Sequence, residues 1–170
     1  MTKQSFQDPY RTLIQRFNQL GIRYVDIGLS GINYYAQNVR ETFATLDYDL
    51  FLEPSLTNVE KAVKALIHLG FNLGTAQGNL RLKELKQLVR NQKTLVATTP
   101  DGIMVELLLQ ISGYSFSELL RDAKTFTVRG VPIRVGRLDK LLRSKGIADR
   151  PKDRQFLKRY ELLFKKGIQE

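Results

Sequence analysis

Asp47 and Asp49 stand two residues apart in Leu46-Asp-Tyr-Asp-Leu-Phe-Leu-Glu53, a stretch that alternates carboxylate and apolar side chains before the chain breaks at Pro54. Period two is the period of a β-strand, so both carboxylates leave one face and reach one point in space, while Tyr48, Leu50 and Leu52 point the other way. Like charges held this close raise each other's pKa and cost stability unless a cation sits between them, and a divalent metal is the natural resident. Glu106 is a lone acid in the otherwise apolar Met104-Val-Glu-Leu-Leu-Leu109. A carboxylate is rarely buried without a partner. If residues 103–109 lie beside residues 46–53, Glu106 completes a three-carboxylate cluster able to hold magnesium.

Taken singly, these acids also suit an edge strand with one wet face and, for Glu106, a salt bridge to a nearby Arg. Together with the small-residue turn Gly28-Leu29-Ser30-Gly31 they favour a metal site. Magnesium ions on such a cluster would bridge nucleotide phosphates, align an attacking hydroxyl and neutralise charge as a phosphorus–oxygen bond breaks. Asp26, also on a strand, is assigned a structural role. His68, the sole histidine, has no neighbour in sequence to activate it and is expected on or near a helix surface.

The elements that must position these residues follow from pattern and punctuation. Asp8 as N-cap, Pro9 at the first helical position, apolar Leu13, Ile14, Phe17 and Leu20, and Gly21 as stop give a first helix. Residues 23–27 give a short buried strand, the turn at 28–31 follows, and a helix runs on through Ile32, Tyr35 and Ala36. Residues 46–53 are the second strand. Thr57 with Glu60 forms a capping box for a helix that carries Val59, Val63, Leu66 and Ile67 and stops at Gly70. A basic amphipathic segment spans Leu80 to Val89, and residues 94–99 and 103–109 pair as a hairpin across Pro100-Asp101-Gly102. Residues 115–123 are helical, 125–135 form a strand pair turned at Arg129-Gly130, and 138–146 and 152–166 are closing helices.

Composition excludes whole classes. The 170 residues hold no cysteine and one histidine, which removes disulfide scaffolds, thiolate zinc sites, iron–sulfur clusters, cysteine nucleophiles and multi-histidine metal sites. No apolar run approaches the roughly 18–20 residues needed to span a bilayer, and the start lacks an apolar signal-peptide core, so a single domain over residues 1–170 in the reducing cytoplasm is expected. The net charge of +10 resides wholly in residues 81–93 and 137–170. A polyanion such as RNA would meet a concentrated field there, although solvated helix faces account for the same pattern.

With these residues in view, the chain resembles the nucleotidyltransferase superfamily, specifically the small single-domain enzymes related to abortive-infection and toxin–antitoxin nucleotidyltransferases. Tyr24-Val-Asp-Ile-Gly28-Leu-Ser30-Gly is similar to the family's phosphate-holding turn, Thr45-Leu-Asp47-Tyr-Asp49-Leu to its paired metal-binding acids, and Asp101-Gly102-Ile-Met-Val-Glu106-Leu-Leu to the place of its third acid. Gly130-Val-Pro-Ile-Arg-Val-Gly-Arg-Leu138-Asp-Lys-Leu141-Leu-Arg-Ser-Lys145, continuing to Arg150-Pro151-Lys152-Asp153, is the most specific match. The turn departs from adjacent Gly-Gly or Gly-Ser, the interval from Gly28 to Asp47 is long, and the third acid is Glu where Asp is common.

The resemblance implies an α+β, polymerase beta-like fold, a mixed sheet flanked by helices with a C-terminal helical segment. It implies a nucleotidyltransferase with Asp47, Asp49 and Glu106 as catalytic Mg2+ ligands, and with Gly28, Ser30, Lys145, Lys152 and Asp153 at the nucleotide. The substrate would be a nucleoside triphosphate such as ATP. The acceptor would be a hydroxyl, with RNA or transfer RNA reached through basic residues in 81–93 and 137–166. Tyr34, Tyr35 and Tyr114 offer rings for base stacking, with core packing as their ordinary use. The alternative is a noncatalytic protein of the same fold that binds RNA or a protein partner.

Overall fold

Pro9 opens α1 (Pro9–Gln19), whose Leu13, Ile14 and Phe17 are fully buried. In the computed structural model the described residues are 9–168 apart from Leu46, so Asp8 and the expected first residue of the second strand lie outside them. The chain then enters β1 (Tyr24–Ile27), every residue of which is buried. The helix expected to follow a turn instead starts inside it: α2 (Gly28–Asn33) begins directly at the end of β1. Gly28, with φ +64, makes that abrupt change of direction possible.

After β2 (Asp47–Leu52), helix α3 (Leu56–His68) is capped by Ser55, not by the expected Thr57–Glu60 box. Ser55 has the extended backbone of an N-cap and its hydroxyl accepts the Asn58 N–H at 3.3 Å. Two short strands that the sequence pattern did not disclose, β3 (Asn72–Thr75) and β4 (Gly78–Asn79), come next. The basic segment becomes a 3-10 turn (Leu82–Glu84) and a single short helix, α4 (Leu85–Arg90), with only Leu85 and Val89 buried. The hairpin of β5 (Leu95–Thr98) and β6 (Met104–Leu108) forms as expected.

The chain closes with α5 (Phe116–Arg121), the pair β7 (Lys124–Val128) and β8 (Val131–Val135), α6 (Leu138–Ala148) and α7 (Pro151–Ile168). A reciprocal Ser115–Glu118 capping box starts α5. Asp149, at φ 50, is the left-handed residue that separates α6 from α7.

The eight strands among the described residues belong to one sheet, ordered β4-β3-β5-β6-β2-β1-β8-β7. The sheet is mixed, because β2 runs parallel to β6 and β1 parallel to β8 while the other neighbours are antiparallel. Leu50 and Phe51 are successive on β2 and both buried, so helices must cover both faces of the sheet centre. Phe51 meets Phe116 of α5 edge to face at 5.5 Å, and α3 contributes Val59, Val63 and Leu66 to the core. Burial of each such side chain contributes about 1.5–3 kcal/mol. The result is the expected α+β architecture, a mixed sheet flanked by helices with a helical C-terminal segment. No helix among the described residues is long and apolar enough to cross a membrane. His68 is exposed at the end of α3.

Candidate active site

Where β1 ends and β2 and β6 begin, three acids meet. The parallel register of β2 and β6 sets Asp49 directly opposite Glu106, the pairing on which a three-carboxylate cluster depended. Asp47, Asp49 and Glu106 each offer an oxygen, and these oxygens lie within 4.8 Å of one another. All three side chains are half-buried.

The cluster is electrostatically uncomfortable. Burial, followed by the charges of Glu106 and Asp47, pushes the Asp49 carboxyl up to about 7, and Lys145 and Lys152 only partly oppose the rise. Burial and the Asp47 charge likewise push Glu106 up, against Lys152 and Arg150. Asp49 Oδ1 is buried with no hydrogen-bond partner. A carboxylate oxygen in that position, beside two further acids, fits a cation and is costly without one. The donor set is all oxygen and holds no thiolate or imidazole, which suits a hard divalent ion such as magnesium.

The acids open into a cleft of about 380 Å³ whose lining includes Gly28, Leu29, Lys145, Lys152, Asp153 and Phe156. Five of the residues singled out in sequence for the nucleotide are Gly28, Ser30, Lys145, Lys152 and Asp153, and four of them face this space. Ser30 does not. It is buried, and its hydroxyl lies 2.9 Å from Asp26 Oδ1 and 3.0 Å from the Ile27 carbonyl while it accepts the Asp49 N–H at 3.1 Å. The Gly28 position touches Asp49 directly, because a Cβ there would overlap Asp49 Oδ2 and stand 3.1 Å from its Cγ.

Helices α6 and α7 supply the opposite wall. Asp153 is 1% exposed and is gripped by Arg150, whose Nε donates at 2.7 Å, and by Lys145 Nζ at 3.6 Å. Burial alone would raise the Asp153 carboxyl, but the Arg150 hydrogen bonds outweigh it and hold it below the ordinary carboxylate range. Burial lowers Lys145, with Asp153 opposing, and its ammonium sits 5.2 Å from the centre of the Phe156 ring. Phe156 in turn meets Phe43, edge to face at 4.8 Å, which ties the segment before β2 to α7.

Sequence reasoning missed Arg150 and Phe156 as members of this wall. The signal was spacing, since Phe156 lies three residues beyond Asp153 on its face of α7 and Arg150 three residues before it, just ahead of that helix. Tyr34, Tyr35 and Tyr114 do not line the cleft. The Tyr34 hydroxyl meets that of Tyr48 at 2.7 Å, the Tyr35 hydroxyl donates to the Gly136 carbonyl at 2.8 Å, and the Tyr114 ring lies beneath the Lys140 ammonium.

The sequence itself matches no family model and no curated protein. Its structure is similar to that of the lincosamide antibiotic adenylyltransferase LnuA, solved with lincomycin bound, at a TM-score of 0.59 and 10% identity, over 91% of this chain and 96% of that one. At that identity the likeness speaks for the fold alone. The chain therefore shares the fold of that nucleotidyltransferase-type enzyme.

Proposed function

We propose that the protein is a magnesium-dependent nucleotidyltransferase, one catalytic unit that moves a nucleoside monophosphate from a nucleoside triphosphate to a hydroxyl acceptor and releases pyrophosphate. The observation that carries this reading is that the Asp47–Asp49–Glu106 cluster and the Lys145 and Lys152 cations line the same cleft. An acid cluster alone would hold a cation, and a lysine pair alone an anion. Together they suit a metal–polyphosphate complex.

In this proposal Asp47, Asp49 and Glu106 hold the metal. Bound there, it would neutralise charge developing on the phosphates and help align the attacking hydroxyl. Lys145 and Lys152 meet the phosphates from the opposite wall, and the Asp153 carboxylate keeps Lys145 in place. Gly28 leaves the cleft floor clear for the phosphate chain, while the Ser30 hydroxyl is engaged inside the protein. Phe156 offers an apolar surface beside the cations. The acceptor rests on charge: exposed Arg81, Lys83, Lys86, Arg90 and Lys93 suit RNA phosphates. A cytoplasmic setting is the reading of the composition, and a toxin–antitoxin role belongs to the family resemblance.

The test is incubation of the purified protein with each labelled nucleoside triphosphate, magnesium and total RNA, beside the Asp47→Ala/Asp49→Ala variant. Label added to RNA by the wild type and not by the variant is expected, and it names the base. Nucleotide binding without labelled RNA moves the acceptor to a protein or a small molecule, such as the lincomycin that LnuA binds. No nucleotide binding at all overturns the transferase and leaves a noncatalytic protein of this fold.

A further inference from the structure

Asp26 lies at the centre of the sheet, on β1 between β2 and β8, and is 0% exposed. A carboxyl in such a place is expensive, and its Oδ2 has no hydrogen-bond partner. An apolar residue would suit the position better if packing were the only requirement, as Tyr24, Val25 and Ile27 around it illustrate. What Asp26 does have is Ser30. The Ser30 hydroxyl lies 2.9 Å from Asp26 Oδ1 and at the same time accepts the Asp49 N–H at 3.1 Å.

We propose that Asp26 is a positioning residue of the acid cluster, acting through the Ser30 hydroxyl on the backbone of Asp49. This rests on the metal reading given above. A hydroxyl has one proton and two lone pairs, and its rotation decides which neighbour it serves. With Asp26 Oδ1 at 2.9 Å and the Ile27 carbonyl at 3.0 Å sharing the proton, a lone pair of Ser30 faces the Asp49 amide at the point where β1 has turned away into α2. The N–H of the central acid is thus fixed by a side chain.

The turn is built to bring these three residues together. At Gly31 a Cβ would stand 2.9 Å from the Asp26 carbonyl oxygen, and at Gly28 one would overlap the Asp49 carboxylate. Nothing larger than hydrogen fits at either glycine, so α2 lies directly on β1 and β2 with Ser30 between the two aspartates. An asparagine at position 26 reproduces the shape of the side chain and the acceptor oxygen that faces Ser30.

The experiment measures Mn2+ affinity of the full chain, without nucleotide, for wild type, Asp26→Asn, Asp26→Val, Ser30→Ala and Asp26→Val/Ser30→Ala. Thermal unfolding and the exchange rate of the Asp49 amide proton are recorded on the same samples. Partners that orient metal ligands typically change affinity by roughly 10- to 100-fold when removed. Asp26→Val and Ser30→Ala are each expected to weaken Mn2+ by about that factor and to speed exchange at Asp49. The double variant is expected to be no worse than the weaker single one, because the two residues act in series. Asp26→Asn is expected to stay close to wild type in both readouts.

Wild-type affinity in the folded Asp26→Val protein, additive losses in the double variant, or an Asp26→Asn protein as weak as Asp26→Val each overturns the relay. If Asp26→Val does not fold, Ser30→Ala decides: unchanged Mn2+ affinity and unchanged Asp49 exchange overturn it. A wild type that takes up no Mn2+ overturns the metal reading itself, and the relay with it.

Discussion

The α-hydrogen of Gly28 stands where any side chain would overlap the Asp49 carboxylate. The floor of the cleft and the central acid of the cluster are therefore in contact, and Gly28→Ala tests that contact. Alanine at φ +64 costs about 1–2 kcal/mol from the left-handed conformation alone. In a domain of this size that lowers the midpoint of thermal unfolding by roughly 2–8 °C. The larger effect is expected on Asp49, which must leave its position. Mn2+ affinity should fall more than in a control such as Gly130→Ala, where φ is +83 but no neighbour lies within 4 Å. Equal effects at the two glycines, measured by calorimetry, would show that only backbone strain is at work.

The three acids repel one another when no cation is present, and this repulsion has a sign that unfolding can read. Asp49→Asn removes a carboxylate whose pKa burial and its neighbours have pushed up to about 7. In chelator the variant should be at least as stable as wild type. Magnesium at about 100 times its dissociation constant should stabilise the wild type by about 2.7 kcal/mol, or roughly 5–10 °C, and leave the variant unmoved. The measurement is a pair of melting curves with and without magnesium. A wild type indifferent to magnesium contradicts the metal site.

Much of this site was legible before any coordinates. Period-two spacing placed Asp47 and Asp49 on one face, and a lone Glu106 in an apolar strand demanded a partner, because local pattern governs both inferences. Other features depend on residues far apart in sequence. The strands β3 and β4 bury only Leu73 and owe their conformation to pairing, β3 with β5 and β4 with β3, which no alternation announces. Ser55 is the cap because α3 already begins at Leu56, which puts Thr57 inside its first turn. Asp26 read as structural for the same reason that Ser30 read as a phosphate ligand. The bond joining them to Asp49 runs from Ser30 of α2 to β2 and is invisible until β1 and β2 are paired.

The buried Asp26 also shapes the response of stability to pH. Its carboxyl is pushed from the ordinary 3.8 up to about 8, chiefly by burial, with the charge of Asp49 adding to the rise and the hydroxyls of Tyr48 and Ser30 opposing it. The folded state therefore holds this proton over a range in which the unfolded chain has released it. Stability from this group is complete below about pH 4 and is lost progressively as pH rises to 8. Asp26→Asn carries no such proton. In metal-free buffer the free-energy difference between the variant and wild type, from urea unfolding, should move in favour of the variant between pH 5 and 8. A difference that stays flat over this window would show that Asp26 titrates normally.

Asp153 makes the opposite kind of demand, since it is a charge that must stay. It is 1% exposed and holds Arg150 at 2.7 Å and Lys145 at 3.6 Å, so it fastens the start of α7 to the end of α6. Removing one partner from a buried ion pair typically costs about 3–5 kcal/mol, because the other charge is left without compensation. Arg150 is more than half exposed and can turn to water, which leaves Lys145 as the group that suffers. Asp153→Ala should therefore destabilise by about 3 kcal/mol, and nucleoside triphosphate binding should weaken as Lys145 loses its anchor. Lys145→Met removes the phosphate contact without leaving a buried cation. It is expected to weaken nucleotide binding as much as Asp153→Ala while costing less stability, and equilibrium unfolding with nucleotide titration on both variants separates the two roles. Weaker nucleotide binding in neither variant would remove this wall from the proposed substrate site.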